Sequence, residues 1–366
     1  MKIVSIVGAR PQFIKAAPVS RALRKHHQEL LLHTGQHYDD NMSKVFFDEL
    51  GIPRPDINLG IGSDSHARQT AAIMIGVEQY LQQEQPDLVL VYGDTNSTLA
   101  GAIAASKLHI KIAHVEAGLR SFNRTMPEEI NRIVADKVAD LLFCPTATAL
   151  KNLADEGIIN DVFNIGDVMY DAALQFAPIA EQKSQVLDRL KIEPKNYVLL
   201  TLHRAENTDS VDNLKHIITA ILQCNKRIVF PVHPRTIKFL KQYQLYQPLE
   251  QADHVLLTEP VSYVDMIVLE KNANKILTDS GGVQKEAYFY QVPCITLRNE
   301  TEWVETVADG WNCLVGADVQ KILTALESFS PNGQQQGHYG DGRASEKLLD
   351  VINGLSHGAW GMVHED

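Results

Sequence analysis

Apolar runs of five to eight residues alternate with helix-length amphipathic stretches along nearly the whole chain. No other feature limits the fold as strongly. In the first half the runs are KIVSIVG (2–8), ELLLHTG (29–35), DLVLVYGD (87–94), KIAHVEAG (111–118), DLLFCPT (140–146) and VFNIGD (162–167). Helical patterns separate them at 12–26, 40–50, 65–84, 96–107, 127–139 and 146–156. Strands this apolar must be covered on both faces, as in a parallel sheet, and a repeated β-α-β order predicts a doubly wound α/β sheet. A mostly helical stretch at 168–196 follows. The alternation then restarts with YVLLTLH (197–203), RIVFPVH (227–233), HVLLTEP (254–260), KILTDSG (275–281), CITLRN (294–299) and NCLVG (312–316). With 366 residues, more than one core usually serves, two such domains are expected. Residues 1–168 form the first and 169–343 the second. After the polar, Gly-rich loop at 330–342, a last helical pattern at 344–355 returns the terminal segment, 344–366, to the first domain.

A hydrophobic content of 45% with 22% charged residues excludes a wholly disordered chain. The formal charge of −11 argues against a nucleic-acid partner, which needs a basic face. It leaves room for an anionic small ligand, because local cations and helix N-termini outweigh a global balance. Cys144, Cys224, Cys294 and Cys313 are widely spaced without a CxxC pair, so reduced thiols are expected rather than a disulfide framework or zinc site. The start, Met1-Lys2 followed by IVSIVG, is too short for a signal peptide, and no apolar run reaches the ~18 residues of a bilayer span. A soluble cytoplasmic protein is expected.

Open α/β sheets bind ligands beyond the carboxyl ends of their strands. Polar residues gather there: Gly8-Ala9-Arg10, Gly93-Asp94, Glu116, His203-Arg204, His233 and Asp279-Ser280-Gly281-Gly282. A cleft faced by both domains would collect them. The sharpest local signal is DSGGVQKEA (279–287). Gly281 and Gly282 open a helix whose N–H groups and dipole favour an anion, and Ser280 adds a hydroxyl. The alternative is a plain tight turn. The segment has neither the GxxxxGK[ST] nor the GxGxxG spacing, so no nicotinamide cofactor is indicated. Glu286 is either a ribose ligand or a surface charge. In GARPQFIKAAP (8–18), Arg10 is suited to clamp a phosphate, and Lys15 either joins it or faces solvent. Asp94, Glu116 and Glu128 are candidate acid/base carboxylates. Desolvation at the ends of buried strands would raise Asp94 and Glu116 toward useful values. Asp94 is alternatively an N-cap, and Glu128 a favourable charge at a helix start. His203 and His233 end strands of the second half. Without an HxxxH or HExxH spacing near a third ligand, anion pairing or proton shuttling suits them better than a metal. For His233 a structural role before Pro234 is equally open.

GARPQFIKAAP, GQHYDDNM, VYGDTNSTLAG, HVEAGLRSFN, MPEEINR, TLHRAENTD and LTDSGGVQKEA closely resemble the non-hydrolysing UDP-N-acetylglucosamine 2-epimerase family, in order and spacing from residue 2 to about 355. The resemblance implies two Rossmann-like domains facing a cleft, in the glycosyltransferase-B manner, a homodimer and no organic cofactor. It implies elimination of UDP to a 2-acetamidoglucal and re-addition with a proton delivered to the opposite face of C2. On that basis Arg10, Ser280, Gly281 and Gly282 hold the diphosphate with His203 nearby, and Glu286 holds ribose. Asp94, Glu116 and Glu128 are the catalytic carboxylates, and Lys15 and Arg132 join the active site. The chain departs from the family pattern at Ala205 within HRAE and at Trp303, where an arginine is usual. Asp39 also stands where enzymes activated by their own substrate carry a second glutamine, although Gln36, Gln69 and His233 match. Weak or absent activation by UDP-N-acetylglucosamine is therefore expected. The pattern looks closest to the subgroup that converts UDP-2,3-diacetamido-2,3-dideoxy-D-glucuronate to its manno isomer for lipopolysaccharide O-antigen, with UDP-N-acetylglucosamine as the alternative substrate.

Overall fold

The structure, a computed structural model, describes residues 1–36, 47 and 53–356. Asp39, most of the GQHYDDNM motif and, apart from Phe47, the helical pattern at 40–50 lie outside them. The chain divides into two compact units, Met1–Gln175 with Gly337–Asp366, and Phe176–Gln336.

The first unit is a seven-stranded parallel sheet made of β1 (Lys2–Val7), β2 (Gln28–His33), β3 (Ile57–Asn58), β4 (Leu88–Tyr92), β5 (Lys111–Val115), β6 (Leu141–Cys144) and β7 (Val162–Asn164), in the order β3-β2-β1-β4-β5-β6-β7. The chain winds outward from β1 in one direction and restarts at β4 in the other, so the sheet reverses between them, where Ile3 pairs Leu88 and Ile6 pairs Val91. Val4, Ile6, Val89, Val91 and Ile112 pack with Ile73, Val77 and Ala100 of the covering helices. Each fully buried valine or isoleucine among them contributes roughly 1.5–3 kcal/mol against exposure. The Ala344–Ser356 helix packs on the Arg10–Leu23 helix of the same unit. Asp171 caps it, accepting hydrogen bonds from Ala344 N at 3.0 Å and from Ser345 N at 2.8 Å.

The second unit is a six-stranded parallel sheet of β8 (Val198–Thr201), β9 (Ile228–Pro231), β10 (Val255–Thr258), β11 (Lys275–Thr278), β12 (Cys294–Thr296) and β13 (Asn312–Leu314), in the order β10-β9-β8-β11-β12-β13. It reverses between β8 and β11, where Thr201 pairs Thr278. Leu200, Ile218, Phe230, Leu277 and Ile295 lie in its core.

Each apolar run read as a strand is one, and most stop short of the polar residues that end the run, because those residues form turns. The two-residue edge strand β3 had no apolar run to announce it. The four cysteines are free. Among the described residues no helix is long and apolar enough to cross a membrane.

Candidate active site

Each sheet presents its polar strand ends at its own reversal point, where a doubly wound sheet opens a crevice. In the first unit the reversal is locked by Gln12, which is buried. Its Oε1 accepts hydrogen bonds from Gly8 N at 2.8 Å and Ala9 N at 3.0 Å. Its Nε2 donates to Tyr92 O at 2.7 Å and to Thr98 Oγ1 at 3.0 Å. One side chain thus fixes the turn after β1 to the end of β4. Gln12 was not singled out from sequence. Its signal was a glutamine three residues past the residue preceding a helix, the position that reaches back to cap the backbone. Arg10 begins that helix and is half-buried.

Two carboxylates flank Gly93. Glu116 ion-pairs with Lys15, and both side chains are buried. Asp94 ion-pairs with Arg132, which also bonds Glu129 at 3.1 Å. Lys15 therefore does not lie on a solvated helix face, and Asp94 is not the N-cap of its helix. That role belongs to Thr95, whose side chain accepts from Thr98 N. The desolvation expected from the apolar strands is answered at each carboxylate by a cation. Gly93 has to be glycine here. Its φ is +61°, and a Cβ would lie 3.0 Å from Glu116 Oε2 and 3.2 Å from Lys15 Nζ.

The two acids of MPEE separate. Glu129 is buried and accepts from Ser121 N at 2.9 Å and Phe122 N at 3.0 Å, which fixes the preceding loop. Glu128 is half-buried in the first turn of the Pro127–Val138 helix, where a negative charge is favoured. Behind Gly93, His114 lies between Gly93 O and Asp136 Oδ1, both at 2.7 Å. Asp136 also accepts from Arg120 at 2.7 Å. Burial works against its charge, but His114 and Arg120 outweigh it and hold the carboxyl below its usual range. Neither residue of this pair was picked out from sequence. A histidine inside an apolar strand run was the only hint.

In the second unit Asp279, fully buried, gathers the turn after β8. It accepts from His203 N at 3.1 Å, Arg204 N at 2.9 Å and Asn207 Nδ2 at 3.2 Å. His203 Nδ1 lies 3.7 Å from the same carboxylate. Burial lowers the His203 imidazole below its ordinary value, with Arg204 and Arg235 acting in the same sense and Asp279 opposing. The His203 and His233 rings lie 5.6 Å apart. His233 caps its helix, accepting from Arg235 N at 3.2 Å, so it has the structural role that Pro234 suggested and also borders His203.

Ser280 precedes the Gly281–Phe289 helix without a side-chain cap bond. The two glycines differ in what they do. A Cβ on Gly281 would meet Glu302 Oε1 at 2.5 Å, so Gly281 serves packing inside the unit. Among the described residues a Cβ on Gly282 would have only Ser280 Oγ within 4 Å, at 3.9 Å, so packing does not require the glycine there, and a helix N-terminus with such space suits an anion. Glu286 is buried and accepts from Tyr263 OH at 2.9 Å, so it is not a surface charge. Burial, and next the charge of Glu286, keep that phenol protonated well above its usual range. Trp303 does not offer a free apolar surface. It is buried, and Lys285 Nζ lies 3.9 Å from its ring centroid. Among the described residues no cluster of three or more His, Cys, Asp and Glu is arranged to hold a metal ion.

The sequence model of the UDP-N-acetylglucosamine 2-epimerase family matches residues 21–353. The chain is 57% identical to a UDP-N-acetylglucosamine 2-epimerase homolog of Methanococcus maripaludis, over 97% of this chain and 100% of that one. It is 47% identical to the UDP-2,3-diacetamido-2,3-dideoxy-D-glucuronate 2-epimerase of Pseudomonas aeruginosa, over 96% and 99%. Its fold is similar to the crystal structure of Methanocaldococcus jannaschii UDP-GlcNAc 2-epimerase in complex with UDP-GlcNAc and UDP, with a TM-score of 0.91 and 46% identity, covering 96% of this chain and 99% of that one.

Proposed function

Because the chain belongs to the UDP-N-acetylglucosamine 2-epimerase family, an isomerase family of the glycosyltransferase-B-like fold, we propose that it inverts C2 of a UDP-2-acetamido sugar without hydrolysis. The substrate proposed is UDP-2,3-diacetamido-2,3-dideoxy-D-glucuronate, the product its manno isomer for lipopolysaccharide O-antigen. The Pseudomonas aeruginosa relative and the HRAENTD and TEWVE patterns support this choice. UDP-N-acetylglucosamine is the second reading, favoured by relatives of that name at 46% identity.

The observation that carries the proposal is the pair of cation-held carboxylates, Lys15–Glu116 and Arg132–Asp94, on either side of Gly93. The C2 proton of the sugar is too weakly acidic to be removed alone. Its loss is coupled to departure of UDP from C1, which leaves a 2-acetamidoglucal. UDP then returns to C1 while a proton is delivered to the other face of C2. One carboxylate takes a proton and another delivers one, a task for Asp94, Glu116 and Glu128. Arg10, Ser280 and the open N–H groups at Gly282 are the proposed diphosphate ligands, with Gly281 shaping the turn. A neutral His203 completes that seat, and Glu286 is assigned to ribose. His233 borders His203. The protein is proposed to work as a cytoplasmic homodimer without an organic cofactor.

Proton NMR in heavy water, run side by side on the two nucleotide sugars, tests this. The expected result is a C2 epimer carrying solvent deuterium, formed faster from the diacetamido glucuronate. Failure of both sugars to exchange or epimerise removes the function, and preference for UDP-N-acetylglucosamine reverses the choice of substrate.

A further inference from the structure

Glu286, the residue assigned to ribose, is buried, and so is the tyrosine that meets it. Tyr263 OH donates to Glu286 Oε1 at 2.9 Å, across 23 residues of sequence. Both lie in the second unit. Tyr263 is the first residue of the Tyr263–Asn272 helix, and Glu286 belongs to the Gly281–Phe289 helix. That second helix opens with the glycine pair of the proposed diphosphate seat, so the carboxylate and the seat share one rigid element.

Tyr263 is itself held. Ser262 caps its helix, the side chain accepting from Asp265 N at 3.1 Å. Asp265 in turn accepts from Ser184 Oγ at 2.5 Å and pairs with Arg189 at 2.7 Å. The Tyr263 ring meets Phe176 edge to face, with centroids 6.3 Å apart. A phenol fixed at a helix start and by its ring presents the hydroxyl in one direction. A buried hydroxyl costs free energy unless it finds an acceptor, and a phenylalanine would fill the same space without that cost. Glu286 is the acceptor that accounts for it. A glutamate side chain, by contrast, has rotamer freedom to lose before its carboxylate takes one orientation.

We propose that Tyr263 is a positioning residue, fixing the Glu286 carboxylate for the ribose hydroxyls and so setting a preference for nucleotides that carry them. The proposal rests on the assignment of Glu286 to ribose. A ribose diol donates two hydrogen bonds, and an ionised carboxylate, which only accepts, suits it. Such recognition depends on direction, because a carboxylate turned aside leaves the hydroxyls unmatched. The phenol donates to the carboxylate and acts on the nucleotide only through it. Burial, and next the charge of Glu286, keep the phenol protonated well above its usual range, so the donor is present at any working pH.

Calorimetry with UDP and with 2′,3′-dideoxy-UDP, which lacks both ribose hydroxyls, tests this on the wild type, Tyr263→Phe, Glu286→Ala and the double variant. The wild type should bind UDP the more tightly, and Glu286→Ala should remove most of that preference. Tyr263→Phe keeps the ring against Phe176 and removes only the hydroxyl. Its UDP affinity is expected to fall about tenfold, as loss of a hydrogen bond to a charged group does, while dideoxy-UDP binding changes little. KM for the UDP sugar should rise by a like factor with kcat little changed. In the double variant the missing hydroxyl should cost no further UDP affinity. If Glu286→Ala loses the preference but Tyr263→Phe keeps it, or weakens both nucleotides equally, the positioning role is overturned and the ribose assignment stands. A wild type indifferent to the ribose hydroxyls, or a Glu286→Ala protein that keeps the preference, removes the ribose assignment and the proposal with it.

Discussion

Glu116 has a backbone φ of +72°, a conformation that costs a non-glycine residue on the order of 1 kcal/mol or more. It is the first residue beyond β5 and turns its carboxylate back over Gly93 to meet Lys15. Such strain persists where the surroundings over-determine the residue, here through Lys15 and the hydrogen bond from Glu116 N to Phe143 O at 3.0 Å. If Asp94 and Glu116 transfer protons, Asp94→Asn and Glu116→Gln should each lower kcat about 10²–10⁴-fold. UDP affinity by calorimetry should change little, and wild-type rates in both variants would remove the assignment. Gly93→Ala puts a methyl 3.0 Å from Glu116 Oε2 in a left-handed backbone. Its kcat should fall while UDP affinity holds, and an unaffected kcat would mean the carboxylate need not lie there. Residue types at this end of the sheet were legible in the sequence, because carboxylates that end apolar runs need a reason. Their partners were not. Lys15 and Glu116 are 101 residues apart, and nothing local says that a lysine on a helix turns inward.

At the scale of elements, the alternation of runs and helices fixed where the strands lie, and the doubly wound order placed their polar ends. The order within each sheet, and so the reversal points, had to come from the fold, since strand pairing is non-local. The end of each strand was read too long wherever a polar residue followed, as at Glu116 and Asp279, because the pattern does not mark where a strand gives way to a turn. Asp279 illustrates the difference. The sequence places it before a glycine pair as if it were part of an anion seat. In the structure its carboxylate instead collects His203 N, Arg204 N and Asn207, binding the end of β11 to the turn after β8. Asp279→Asn would set an NH₂ group against these donors and leave some unsatisfied, at about 1–3 kcal/mol. Thermal unfolding should begin several degrees lower, and UDP binding should weaken with it. A stable variant with weaker UDP binding would instead make Asp279 a direct ligand.

For the whole molecule, charge balance predicts how it fails in acid. Asp136 lies in the first unit and has its folded value lowered, as His114 and Arg120 outweigh burial. His203 lies in the second unit and is lowered chiefly by burial. In both cases the unfolded chain binds more protons than the folded one just below the ordinary value, so stability is complete above that value and is lost as pH falls. The ordinary values are about 6.5 for His203 and about 3.9 for Asp136. Asp171 runs the other way. Burial raises it, so its contribution is present at low pH and is lost as pH rises through the raised folded value. It therefore does not add to acid lability. Acidification should weaken both units from below about pH 6.5, the second through His203 and the first through His27, which burial also lowers, and Asp136 should add a further loss in the first unit below about pH 4. The earlier change should be the smaller, because 39% of the His203 side chain is exposed and solvent screens it. Calorimetric scans from pH 8 to pH 3 on the wild type, His203→Asn and Asp136→Asn would separate the two. The first variant should lose the second unit's share of the change that begins below about pH 6.5 and keep the later one, and the second should do the reverse. If both variants follow the wild-type curve, the acid response lies with other groups, and the hydrogen bonds to Asp136 and His203 do not govern it.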